Sequence, residues 1–145
     1  MSDLPPFSVS IAGTEEAVRN GLAQAMACLA PLHLTADDMG TVELVLAEAL
    51  NNVVEHALAD SPNPTKIEIR GHHSAAGLHV TVIDRGAPMP DGATPVAKTP
   101  NLDVSICDMP EGGFGWYMIH TLATNVSYAR IGASNHLSLH LPVGL

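Results

Sequence analysis

Glu48-Ala49-Leu50-Asn51-Asn52-Val53-Val54-Glu55-His56-Ala57 reads as the heart of a helix with two unlike faces. At about 3.6 residues per turn, Leu46, Leu50, Val53, Val54 and Ala57 gather on one side, fit to face a core. Glu48, Asn51, Asn52, Glu55 and His56 fall on the other, with Glu48, Asn52 and His56 one turn apart in a row. A charged row is usually a solvated face. Two adjacent asparagines in mid-helix argue against that here, since each costs roughly half a kcal/mol relative to alanine and gains nothing from water alone. An amide oxygen is a hard ligand of the kind Mg²⁺ takes beside phosphates and water. A carboxylate one turn earlier can accept a proton from an attacking hydroxyl or water. Asn52 as a Mg²⁺ ligand and Glu48 as a general base therefore form a coherent pair.

Two glycine-bearing segments follow this helix in order. Leu78-His79-Val80-Thr81-Val82-Ile83-Asp84 reads as a strand that gives out into Arg85-Gly86. A carboxylate at that point can accept from an exocyclic amino group, and Gly86 lets a ligand approach the backbone closely. After the segment 86–112, Gly112-Gly113-Phe114-Gly115 opens an apolar helical pattern. Glycines at a helix start offer free backbone N–H groups to phosphates. The Gly-x-x-x-x-Gly-Lys-Ser/Thr loop and the dinucleotide fingerprint Gly-x-Gly-x-x-Gly are both missing, so neither of those phosphate sites is expected.

The remaining elements fall around these. Phe7-Ser8-Val9-Ser10-Ile11 alternates like a half-buried strand. Thr14 caps a helix with Glu15 and Glu16 in its first turn, which runs to Pro31. Thr35 caps the longer helix described above, expected to reach about Asp60 before Ser61-Pro62-Asn63-Pro64 stops it. Lys66-Ile67-Glu68-Ile69-Arg70 is a strand, His72 to Gly77 its turn, and the adjacent His72-His73 reads as strand-end loop rather than a ligand set. Residues 86–112 hold five prolines from Pro88 to Pro110 and no sustained period, the composition of a lid. A helix from Gly115 to Ala123, a strand from Asn125 to Ile131, a turn Gly132-Ala133-Ser134-Asn135 and a strand through Leu137, Leu139 and Leu141 complete the pattern. The order β-α-α-β-β-lid-α-β-β predicts an α+β two-layer sandwich: a mainly antiparallel mixed sheet with helices packed on one face, formed by residues 1–145 as one domain.

Composition narrows the function. The chain has 145 residues, 6 basic and 15 acidic side chains and a formal charge of −9, which disfavours nucleic acid and anionic membrane as partners. Two Phe, two Tyr and one Trp are too few for a base-stacking platform. A mean hydropathy of +0.19 fits a folded globule, and no apolar run reaches a membrane span. The start Met1-Ser2-Asp3-Leu4-Pro5-Pro6 lacks the features of a secretion signal, and Cys28 and Cys107 form neither a metal spacing nor a disulfide framework. A cytoplasmic protein is expected.

Glu48-x-x-x-Asn52 on a helix, Asp84-x-Gly86 after a strand, a lid, then Gly112-Gly113-Phe114-Gly115 with Ile119 resembles the GHKL ATPase superfamily and its Bergerat ATP-binding fold. The resemblance runs from about Phe7 to Pro142. Within that superfamily the short length and the run from Glu48 to His56 are similar to the anti-sigma-factor serine/threonine kinases of bacterial partner-switching systems. The resemblance implies ATP and Mg²⁺ as cofactors, with Asn52 holding the metal and Glu48 as the general base. It implies Asp84 as the adenine-binding residue and Gly112, Gly113 and Gly115 at the phosphate end. Gly86, His56 and Lys98 are counted with them as ATP-binding. It further implies a homodimer that binds a sigma factor in one state and phosphorylates a small antagonist protein in another. Two departures matter: Pro88 stands where the usual Asp-x-Gly-x-Gly has its second glycine, and Lys98 is the only Lys or Arg between Arg85 and Arg130. They leave open an alternative, a catalytically degenerate binding module of the same fold that sequesters a regulatory protein without phosphorylating it. The ATP-binding half of a histidine kinase is a third reading, disfavoured because no long coiled helix carries a phospho-accepting histidine.

Overall fold

A computed structural model of the chain describes residues 4–58, 65–89 and 113–145. Five strands form one sheet in the order β1-β2-β3-β5-β4: β1 (Phe7–Ala12), β2 (Lys66–Ser74), β3 (Gly77–Asp84), β4 (Asn125–Ile131) and β5 (Ser134–Leu141). Every pairing among the described residues is antiparallel. Register follows the hydrophobic alternation, because a slip of one residue would turn each buried side chain to the wrong face. Val9, Ile69, Val82 and Leu137 lie opposite one another across four strands, and all are buried. The helices α1 (Glu15–Cys28), α2 (Ala36–Asn52) and α3 (Gly113–Leu122) cover that inward face. This is the α+β two-layer arrangement expected of the element order.

The first two helices start where their sequences say they should. Thr14 Oγ1 accepts from Ala17 N at 3.1 Å, and Thr35 Oγ1 accepts from Asp38 N at 3.1 Å, each satisfying an N–H that the helix itself leaves open. α2 packs against both α1 and α3, and Val42, Val45, Leu46, Ala49 and Leu50 are its buried stripe. α2 does not run on as an ordinary α-helix. From Val53 to Ala57 it continues as a π-helical turn, closed by Leu58 N donating to Val53 O at 2.9 Å. The expected end near Asp60 and the stop at 61–64 lie outside the described residues.

The hairpin of β2 and β3 is longer than expected. Ser74 pairs with Gly77, leaving only Ala75 and Ala76 to turn, and Gly77 adopts φ +123°, where a Cβ would be strained. His72 and His73 are therefore strand residues on opposite faces and not a loop. His73 is buried, with its Nε2 3.0 Å from Val143 O. His72 joins His79 and His140 in a row across the face that none of the described helices covers, their rings stacked with centroids 4.7 and 4.2 Å apart. Burial lowers the His79 pKa first, and the neighbouring charges of His140, His72 and His73 lower it further. Asn135 is likewise a β5 residue, since Gly132, at φ +60°, tightens the turn to Gly132-Ala133.

Candidate functional site

Along α2 the side chains singled out by sequence meet three other parts of the fold. Glu48, half-buried, lies against the first turn of α3: a Cβ on Gly115 would collide with Glu48 Oε2. One turn on, Asn52 is 9 % exposed, and its Nδ2 is buried without a hydrogen-bond partner. Asn52 is thus not part of a solvated face, the reading its sequence context argued against. Such a group costs about 1–3 kcal/mol of desolvation with nothing in return. At the far end, the π-helical turn receives the loop that follows β3. Ala87 N donates to Ala57 O at 2.8 Å, and a Cβ on Gly86 would run into Ala57 C at 2.6 Å. From Glu48 to Ala57 the helix axis advances about 13 Å, at 1.5 Å per residue. The glycine-rich helix start, the orphan amide and the Asp84 loop are thus ranged along one helix.

His56 is the exception to the row read from sequence. The π-helical turn after Asn52 spaces its residues at a different angle from an α-helix, and His56 is exposed. Gly113 opens α3, two residues earlier than the expected start at Gly115. Lys98, Gly112 and the 90–112 part of the expected lid lie outside the described residues.

Asp84 closes the buried face of β3 and is 4 % exposed. Its Oδ1 accepts from Gly86 N at 2.7 Å and from Asn135 Nδ2 at 2.9 Å. Asn135, also 4 % exposed, sits directly across from it in the β3–β5 register. The same Nδ2 donates to Ala87 O at 2.9 Å and reaches Gly86 O at 3.3 Å. Asn135 Oδ1 accepts from Tyr128 OH and from Arg130 Nη1, the latter at 3.0 Å. Arg130 Nη1 also donates to Gly86 O at 2.7 Å, and Met89 N donates to Tyr128 OH at 3.0 Å. Residues 86–89 are therefore pinned from β4 and β5. The sequence reading missed Asn135, Tyr128 and Arg130. Their signal was positional: Asp84 and Asn135 become partners only once the strands are in register.

Chemically, the arrangement offers a buried carboxylate at one end and a second carboxylate beside a helix N-terminus at the other. An unpaired amide lies between. Arg70 and Glu68 form an ion pair at 2.8 Å on β2, where Glu68 lies opposite Ile83. No group of three or more His, Cys, Asp or Glu among the described residues could hold a metal, and Mg²⁺ commonly completes its shell with phosphate and water oxygens. The donor set fits that case. Asn52 supplies one amide and the start of α3 supplies N–H groups for anions, with no all-protein cage among the described residues.

A family model described as the histidine kinase-like ATPase domain matches residues 11–141. Among solved structures, the chain is similar to the RsbU and RsbW domains of Rv1364c from Mycobacterium tuberculosis, at 18% identity and a TM-score of 0.66. That match covers 96% of this chain but 32% of the other, so this chain spans about a third of that structure. The histidine kinase domain of the blue-light activated histidine kinase EL346 from Erythrobacter litoralis overlaps at 20% identity and a TM-score of 0.49, over 73% of this chain and 45% of that one. No curated protein sequence matches the chain. Among the described residues, no helix is long and apolar enough to cross a membrane.

Proposed function

Because the chain belongs to the family of histidine kinase-like ATPase domains, we propose that it binds ATP with Mg²⁺ along α2 and passes the terminal phosphoryl group to a serine or threonine of a small antagonist protein. In the other state of the switch it holds a sigma factor, acting as a homodimer in the cytoplasm. One observation carries this reading: Gly115, Asn52 and the Asp84–Gly86 loop contact or occupy successive positions of a single helix, in the order a nucleotide needs from phosphate to base. The fold shared with the RsbU and RsbW domains supports it.

In this reading the base lies at Asp84, whose carboxylate accepts from the exocyclic amine. The phosphates face the start of α3, where helix N–H groups lack internal partners. The Asn52 amide oxygen would hold Mg²⁺, which supplies charge neutralisation across the phosphates. Asn52 is suited to that role because the two ends of its amide exchange by a half-turn of the side chain, and its buried end has no protein partner to lose. Glu48 takes the proton from the attacking hydroxyl as the new P–O bond forms, and the diphosphate leaves with the electrons of the old one.

The test is transfer of label from γ-labelled ATP to candidate antagonist domains, comparing wild type with Glu48→Gln. The variant keeps shape and ATP affinity while transfer falls by about 10²–10⁴-fold, the usual worth of a positioned base. Transfer at the wild-type rate by Glu48→Gln overturns the assignment of the base. A wild type that binds ATP well, transfers nothing and still captures its partner is the degenerate binding module instead.

A further inference from the structure

We propose that Asn135, held by Tyr128 and Arg130, is the positioning residue that aims Asp84 at the base and so makes the site select a purine bearing a 6-amino group. The inference rests on the nucleotide reading above and extends it to residues outside the helix α2 and its glycine segments.

The chemistry of the contacts fixes the orientation of Asn135 without ambiguity. A guanidinium can only donate, so the atom of Asn135 facing Arg130 Nη1 at 3.0 Å must be the amide oxygen. The nitrogen then faces Asp84 Oδ1 at 2.9 Å, where only a donor is tolerated beside an ionised carboxylate. Oδ1 is served twice, by Asn135 Nδ2 and by Gly86 N at 2.7 Å. Oδ2 accepts no hydrogen bond among the described residues. A carboxylate 4 % exposed with one oxygen satisfied and one open is poised for a ligand donor.

The same amide also governs where the loop runs. Asn135 Nδ2 bonds Ala87 O at 2.9 Å, Arg130 Nη1 bonds Gly86 O at 2.7 Å, and Tyr128 OH accepts from Met89 N at 3.0 Å. Pro88 lies within this clamp and has no N–H of its own to add. Asn135 is thus the side chain that bonds both the carboxylate and the loop. Without Asn135, Asp84 can turn either oxygen to Gly86 N, and Oδ2 is no longer held toward the site. A ligand lacking the 6-amino group never used that oxygen and should not register the change.

The experiment measures dissociation constants by calorimetry for Mg·ATP and for the Mg complex of purine riboside triphosphate, which has hydrogen in place of the 6-amino group. Wild type should prefer ATP by at least about tenfold, the low end for a hydrogen bond to a charged group. Asn135→Ala should lose about tenfold in ATP affinity and little for the analogue, so that the preference falls to within about threefold. Tyr128→Phe, a milder change that removes one of the two donors to the Asn135 oxygen, should move the same ratio partway, and it serves if Asn135→Ala does not fold. An equal loss for both ligands, or an unchanged ratio in both variants, overturns the proposal while leaving the nucleotide reading in place. A wild type that binds ATP without preferring it removes Asp84 as the base reader and the proposal with it. A wild type that binds neither ligand overturns the nucleotide reading itself.

Discussion

The side-chain nitrogen of Asn52 is buried with no partner among the described residues, a cost the unliganded protein bears. Replacing it with a nearly isosteric apolar group should therefore stabilise the free fold. Asn52→Leu should add about 1–3 kcal/mol, or roughly 2–4 °C of melting temperature per kcal/mol for a domain of this size. It should also abolish Mg²⁺-dependent ATP affinity. A lower melting temperature would mean that the amide makes a structural bond instead. Gly115 sets a complementary trade. Its missing Cβ is the space that Glu48 Oε2 fills, and Oε2 is the far end of a flexible side chain that can swing aside. Gly115→Ala should keep or raise the melting temperature, since alanine is favoured over glycine in a helix by about 1 kcal/mol. Phosphoryl transfer should fall because the base is displaced. A drop in melting temperature with transfer intact would place Glu48 away from the reacting hydroxyl.

Among the elements, the π-helical turn Val53–Ala57 and the loop 86–89 act as a joint. The turn directs Ala57 O at Ala87 N, and the loop approaches so closely that Gly86 can carry no side chain. The obstacle to a Cβ there is backbone, which cannot swing away as Glu48 can. Gly86→Ala should cost more than about 1 kcal/mol and weaken ATP, with the loss visible in a melting curve before any ligand is added. Hydrogen exchange offers a finer view. The amides of Gly86, Ala87 and Met89 donate to Asp84 Oδ1, Ala57 O and Tyr128 OH respectively. They should exchange slowly without nucleotide, so that any gate begins after Met89 and not at Gly86. Fast exchange at these three amides would mean the joint forms only with ligand.

For the whole molecule, the sheet face opposite the described helices is where acidity should be felt. His79 is half-buried between His72 and His140, and its pKa is lowered below 6.5, chiefly by burial and then by those neighbours. In the unfolded chain the same imidazole titrates near 6.5. As pH falls through that value the unfolded state takes up a proton that the folded state resists, so stability is greatest above about 6.5 and declines below it. The melting temperature should drop between pH 7.5 and pH 5.5. His79→Gln should reduce that drop by removing both the resisted proton and the repulsion across the row. An identical pH dependence in the variant would mean that the three rings open apart when charged and carry no penalty.

Hydrophobic period and helix caps were enough to read the two-layer fold. Val9, Ile69, Val82 and Leu137 alternate with polar neighbours, and Thr14 and Thr35 mark helix starts by the N–H groups they satisfy. These are local quantities, written into adjacent residues. Glu48, Asn52, Asp84 and Gly115 were legible for a related reason: an asparagine in mid-helix or a glycine at a helix start breaks a local preference and so draws notice. The π-helical turn was not legible, because Val-Val-Glu-His-Ala suits an α-helix equally well and only packing selects the wider turn. Nor was Asn135, which as a turn residue breaks no rule. Its partner Asp84 lies far away in the chain, and the bond between them exists only because β3 and β5 pair in that register. Sequence determined the elements and the residues of odd local character. Tertiary structure alone decided which buried polar groups meet, since that depends on contacts whose two halves are remote along the chain.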